Sequence, residues 1–254
     1  MLPRARFKWA SMSKTILVTG ASSEIGREFI RNVDPGTTIL AHGHHGRTAL
    51  EALALELPDR EVKTMVADLS DAADLKRFAD DVARAVACPD QFVHLAAPKL
   101  TYGRFRDLSL DDLQSDLAIQ LHAAVALLRD ILPKMAKRGS GQVVLVLSSV
   151  TLGTSPAFLS RYVIVKHALL GLLRATVAEY APKGIRINAV SPGMTETQFL
   201  SEVPAKIVEL AAEKNPSKRN ATPADVAKAI RFLLSSEAAF VNGVNLPVTG
   251  GETF

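Results

Sequence analysis

The chain has 254 residues, 48% hydrophobic and 22% charged, with a formal net charge of +4, which is enough material for one large domain around a single core. No apolar run reaches the roughly 18 residues of a membrane span, and no lysine–arginine cluster is dense enough for a nucleic-acid footprint. The lone cysteine, Cys88, excludes an intrachain disulfide and suits a reducing compartment, so a cytoplasmic location is expected.

Residues 1–13 read as a flexible arm, basic but without the apolar core of a secretory signal, with Met12 as a second candidate start. The domain proper is expected over 14–254. Its first strand, 15–19, is continuously apolar, as in strands buried on both faces of a parallel sheet. Further strands are predicted at 37–41, 61–66, 91–95, 143–147, 185–190 and 244–248. Helices are predicted at 24–33, 47–57, 71–87, 110–138, 160–181 and 223–236, with Ser70, Ser109 and Thr222 as N-caps and Pro223 at a favoured first position. Seven strands alternating with six helices describe an α/β protein, a single doubly wound (Rossmann) domain with a seven-stranded parallel sheet and helices on both faces.

The first strand runs into a turn holding Gly20, Ser22, Ser23, Ile25 and Gly26 and then a helix. Glycines there let a pyrophosphate approach the backbone, and the helix N-terminus attracts it. An NAD binder offers a carboxylate after its second strand. Here no acid precedes Glu51, and His44, His45 and Arg47 offer contacts to a 2′-phosphate, which points to NADP(H). The three histidines at 42, 44 and 45 lack a second cluster of ligands, so no metal is predicted. Asp68 and Leu69 follow the third strand, either as adenine contacts or as a helix-capping loop.

Tyr162 and Lys166 stand four apart, on one face of a helix. A free phenol, with its pKa near 10, is a poor acid at neutral pH, and a fixed cation brings it toward the working range. A serine arriving from the preceding strand would hydrogen-bond the same substrate oxygen. Ser148 fits the strand end, but the spacing to Tyr162 favours Ser149.

With Thr19, Gly20 and Gly26, Asp68, the run from Val93 to Ala97, Ser149, Tyr162 with Lys166, the run from Asn188 to Gly193 with Thr197, and the Thr249–Gly251 tail, the chain resembles the short-chain dehydrogenase/reductase family, from about residue 14 onward. The resemblance implies an NADP-dependent enzyme interconverting a ketone and a secondary alcohol. Tyr162 would be the acid, with Lys166 lowering its pKa and holding the nicotinamide ribose. Ser149 would orient the carbonyl, and Gln120 would complete a proton relay where the family has Asn. Ala96, Ala97, Pro192, Gly193, Thr195 and Thr197 would line the cofactor, and 194–216 would form a mobile substrate lid. Glu24, in place of a glycine, sets a carboxylate beside the pyrophosphate. His94 and Leu95 also depart from the family pattern.

The tail and the Lys183–Asn188 run are most similar to 3-oxoacyl-carrier-protein reductases, which makes a 3-oxoacyl thioester one candidate substrate. Lys137, Arg138 and Lys183 either steer an acyl carrier protein toward the site or merely complement helix C-termini. The helices at 110–138 and 160–181 are apolar over more than one stripe, which with the resemblance implies a homotetramer. A catalytically idle NADP-binding protein is the alternative reading.

Overall fold

All five residues of β1 (Thr15–Thr19) are buried, as a strand covered on both faces requires. The computed structural model describes residues 14–253, so the predicted 1–13 arm lies outside the described residues. In it β1 is an interior strand of a seven-stranded sheet. The other strands are β2 (Thr38–Gly43), β3 (Glu61–Val66), β4 (Gln91–His94), β5 (Gly141–Val146), β6 (Ile185–Pro192) and β7 (Asn245–Val248). Their spatial order is β3-β2-β1-β4-β5-β6-β7, and every pairing is parallel. The order reverses between β1 and β4, which opens a crevice at their carboxyl ends, the usual ligand position in such sheets.

The helices are α1 (Glu24–Arg31), α2 (Arg47–Glu56), α3 (Ala72–Ala85), α4 (Leu110–Leu117), α5 (Ala123–Arg138), α6 (Ser160–Tyr180), α7 (Ala205–Lys214) and α8 (Pro223–Leu234). Two apolar cores form, one on each face of the sheet. Phe78, Leu127, Leu169 and Leu173 belong to the first, and Phe29, Leu50, Val226 and Ile230 to the second. Ser109 caps α4, and Thr222 with Asp225 forms a capping box on α8 behind Pro223.

The structure corrects one cap and one helix span of the sequence reading and adds detail to the lid and the long helices. The cap of α3 is Asp71, which accepts from the Asp74 amide at 2.7 Å, because the Ser70 hydroxyl is held by Asp68 at 2.6 Å. The helix predicted over 110–138 is interrupted by a π-helical turn at Ala118–His122. Part of the predicted lid is the helix α7. The apolar runs at 123–128 and 168–173 are mostly covered by the protein's own core, with Ala123, Ala124, Leu127, Leu128, Leu169, Leu170 and Leu173 all buried. Of the outward positions on these helices, Val125 is 42% exposed and Ile164 39%.

Candidate active site

At the carboxyl end of β1 the chain must turn with no side chain in the way. Gly20 has φ +70°, and a Cβ there would stand 2.7 Å from the Ala96 amide nitrogen. A Cβ on Gly26 would meet the Ala21 carbonyl at 2.7 Å. Ser23 caps α1 by accepting from the Gly26 amide at 3.1 Å and donating to the Gly20 carbonyl at 2.8 Å. The result is a bare cradle before a positive helix end, which fits a pyrophosphate. Glu24, in the first turn, does not lie across that cradle as a free carboxylate. Its Oε1 accepts from the Gln198 amide at 3.0 Å, tying α1 to the 194–216 segment.

Beyond β2, Gly43 and Gly46 pack on Ser22, where a Cβ on Gly46 would meet the Ser22 Cβ at 2.2 Å. His44 and His45 stack with ring centroids 3.7 Å apart. His44 Nε2 lies 3.7 Å from an Asp68 oxygen, and Arg47 lies 3.4 Å from Glu51. All three cationic candidates are exposed. Asp68 accepts from the Ser70 hydroxyl and amide, which hold its carboxyl below the usual range. The Leu69 side chain is buried in the core, so only its backbone is free to meet an adenine.

At the end of β4, His94 is buried and clamped between the Thr19 hydroxyl, 2.7 Å from Nδ1, and the Gln120 carbonyl, 2.8 Å from Nε2. Burial, helped by the charge of Lys166, pushes its pKa down to about 3. A neutral ring that accepts at Nδ1 and donates at Nε2 satisfies both partners. The Gln120 carbonyl that meets His94 lies within the π-helical turn. The Gln120 side chain is itself buried, with Oε1 lacking a partner among the described residues, a state that costs about 1–3 kcal/mol unless something else fills it.

The reactive side chains meet past β5. Lys166 is 4% exposed and donates to the Val146 carbonyl at 3.0 Å. Its Nζ stands 5.5 Å from the centre of the Tyr162 ring. Burial pulls the lysine down to about 7, partly offset by Asp116. Burial pushes the phenol up to about 12, partly offset by a hydrogen bond with Ser148. Ser148 thus joins the expected Ser149 beside the phenol, and both serines line the cavity. Ser148 ends the extended segment as the cap of a 3-10 turn at Ser149–Thr151, which turns it inward and buries it, while Ser149 is half-buried.

These groups line one cavity of about 530 Å³. Of the predicted residues it gathers Ser23, Ile25, Ala97, Ser149, Tyr162, Lys166, Pro192, Gly193, Thr195 and Thr197. Gly20, Ser22, Gly26, His44, His45, Arg47, Asp68, Leu69, Ala96 and Gln120 are not on its wall. The cavity also takes in Ser148, the alternative to Ser149, with Glu24, with Met194, Phe199 and Lys214 from the expected lid, and with Leu95 and Glu252, to which the sequence reading gave no role at the site. The position of Ser148 at the strand end was the available signal for the first. The others come from segments whose path no local pattern specifies.

The third predicted feature near the site, its basic rim, is at the wrong end of the molecule. Arg138 ends α5 just before β5 and bonds Asp90, just before β4, at 2.9 Å. Lys183 comes just before β6. In a parallel sheet these are the amino ends, opposite the cavity.

A crevice at the switch point of a doubly wound sheet, lined by Tyr162 and Lys166 and reached by the start of α1 at Ser23 and Ile25, fits a nicotinamide-dependent oxidoreductase. Comparison with known proteins carries this to the family: the profile described as Enoyl-(Acyl carrier protein) reductase matches residues 20–253, and the chain belongs to the short-chain dehydrogenase/reductase family, which uses NAD(P). It is 30% identical to levodione reductase of Leifsonia aquatica, over 99% of this chain and 97% of that protein. It is 27% identical to meso-2,3-butanediol dehydrogenase of Serratia marcescens, over 95% of each chain. The levodione reductase crystal structure superposes with a TM-score of 0.84, covering 94% of this chain and 97% of that one. A Beutenbergia cavernae structure with bound NADP, assigned as an NAD(P)-dependent gluconate 5-dehydrogenase, superposes at 0.85 with 29% identity, covering 95% of this chain and 97% of that one.

Proposed function

We propose that the protein is an NADP(H)-dependent enzyme that reduces a ketone to a secondary alcohol, or runs the reverse, with Tyr162 as the acid. The observation that carries this is the convergence of Tyr162, Ser148 and Lys166 on one cavity that also reaches Ser23, Ile25 and Pro192–Thr197. The nicotinamide, when bound, supplies or takes up the hydride. Ser148 holds the carbonyl oxygen beside the phenol. Tyr162 gives that oxygen its proton, and Lys166, with its Nζ 5.5 Å from the ring, is placed to stabilise the phenolate left behind. Gln120 is a further candidate in proton return, since its buried amide oxygen is unpartnered among the described residues. The 2′-phosphate would meet His44, His45 and Arg47, where β2 ends without a carboxylate. Val125 and Ile164 supply the outward apolar positions for helix pairing in a homotetramer.

Lys137, Arg138 and Lys183, the residues expected to steer an acyl carrier protein, belong to the amino ends of the strands and lend that partner no support. The test is NADPH consumption by purified protein across a panel of ketones, with NADPH and NADH titrated by fluorescence. NADPH is expected to bind at least about tenfold more tightly, and turnover of at least one ketone is expected. Intact NADPH binding with no turnover would favour the idle family member instead.

A further inference from the structure

We infer that the substrate is a compact, uncharged ketone with a hydrocarbon body, which deepens and rests on the reductase reading above. Tyr162 does not stand in either sheet-face core. It packs in a separate apolar cluster built from buried Leu100, Leu159 and Val203, with Tyr102, Phe199 and Leu200 against them. The Phe199 ring lies 5.9 Å from the Tyr162 ring, tilted by 50°. On the side away from Ser148 and Lys166, the wall beside Tyr162 is therefore built from apolar side chains of the loop after β4, the residue before α6 and the segment leading to α7.

Two further observations point the same way. Ile207 and Leu210, one helical turn apart on α7, line the cavity, yet each remains 37% exposed. Apolar surface placed on a cavity wall and left uncovered is surface that a hydrocarbon ligand would cover. Away from the reacting centre and Glu24, the ionisable groups on the wall are Tyr102, Lys214 and Glu252. Lys214 and Glu252 carry opposite charges and are exposed, so neither sign is favoured and no buried counter-charge awaits a carboxylate or a phosphate. A polyhydroxy substrate would fare as badly, because hydroxyls desolvated against Leu100, Leu159 and Phe199 find few partners.

The experiment measures kcat/KM with NADPH for cyclohexanone and its mono- and trimethyl derivatives, beside a polyhydroxy keto acid (5-ketogluconate) and an acetoacetyl thioester. Each added methyl is expected to raise kcat/KM about fourfold while it still fits, the value of one buried methylene. Trimethylcyclohexanone should exceed the keto acid and the thioester by on the order of 100-fold. Ile207→Asp with Leu210→Asp should flatten the methyl series and leave the NADPH Kd unchanged, which also shows that the variant is folded. A flat series in the wild type, or a preference for the keto acid or the thioester, overturns the substrate class and leaves the reductase standing. Failure to reduce any ketone despite NADPH binding overturns the reductase reading, and this inference with it.

Discussion

At the carboxyl ends of β1, β4 and β5, polar side chains are buried and short of partners or strongly shifted: Gln120 with an orphan oxygen, Lys166 pulled down to about 7, His94 to about 3 and Tyr162 pushed up to about 12. At the amino ends of the same sheet, polar side chains are satisfied. Arg138 bonds Asp90 and the carbonyls of Pro89 and Ser140, and Gln91 bonds the Leu234 carbonyl. Arg186 bonds the carbonyls of Leu233 and Ser235. A polar group with every partner in place is holding the fold together, and one buried without partners is waiting for a ligand. Charge alone does not separate the two ends; Gln120 marks the difference, as the group among these left with an unpartnered buried oxygen.

The sharpest way to break this contrast is at the phenol. Tyr162→Phe keeps the ring in its apolar cluster and removes the proton, so kcat should fall on the order of 10³-fold while the NADPH Kd stays about the same. Most of the activity surviving in this variant would remove Tyr162 from the mechanism. Ser148→Ala should cost on the order of 10²-fold in kcat, as loss of one donor to the reacting oxygen does, whereas Ser149→Ala should cost little. The reverse ranking would restore the spacing argument.

Lys166 tests the contrast through stability. Its pKa falls from 10.5 in the open chain to about 7 in the fold. Below pH 7 both states carry the proton, and the folded state bears the cost of a buried charge. Between 7 and 10.5 the unfolded chain binds more protons, so wild-type stability rises with pH through that window. Lys166→Met removes the penalty. The variant should be the more stable protein at pH 6, by at most a few kcal/mol, and the gain should shrink toward pH 10, as urea unfolding at both values would register. A gain independent of pH would mean that the amine is not buried as charged.

The seven strands are legible in the sequence because β-branched apolar runs bounded by turns leave few alternatives, and each observed strand lies within a few residues of its predicted place. Tyr162, Lys166 and the glycine turn are legible for a similar reason, since each is set by local spacing on one element. What escapes is what tertiary partners decide. Nothing in the run Ala118–His122 signals a π-helical turn; the partner of its Gln120 carbonyl, His94, comes from another strand. The helix α7 is masked by Pro204 and Pro216 on its flanks. Ser148 and Ser149 differ by one position, and only the point at which the strand ends tells which one faces inward. The misplaced basic rim was avoidable, because a helix returning between parallel strands delivers its C-terminus to their amino ends.

Glu24 joins the cradle to the segment before α7, and its removal sharpens the carboxyl-end picture by a smaller amount. A carboxylate in the first turn of α1 opposes the arrival of a second anion at the same helix end. Glu24→Ala should tighten NADPH binding about threefold, less so at high salt, and should speed hydrogen exchange at the Gln198 amide in the free protein. Weaker NADPH binding would mean that the link to Gln198 organises the cradle instead of competing with its ligand.

The smallest effect belongs to the amino ends. Lys183 lies 3.5 Å from Glu179 and 4.3 Å over the Tyr180 ring, and Lys137 sits exposed in the last turn of α5. Both complement helix C-termini, an arrangement worth a fraction of a kcal/mol at an exposed site. Lys137→Glu with Lys183→Glu should therefore lower the melting temperature slightly through lost dipole and pair interactions. Turnover of a ketone should change by less than about twofold, because a charge more than a Debye length away, roughly 8 Å at physiological salt, is screened from the cavity. The same measurement on a carrier-bound 3-oxoacyl substrate decides the rest. If the carrier docked on these lysines, reversing both charges would slow it and make its rate insensitive to salt. The opposite ends of the sheet require instead that the double variant treat carrier-bound and free substrates as the wild type does.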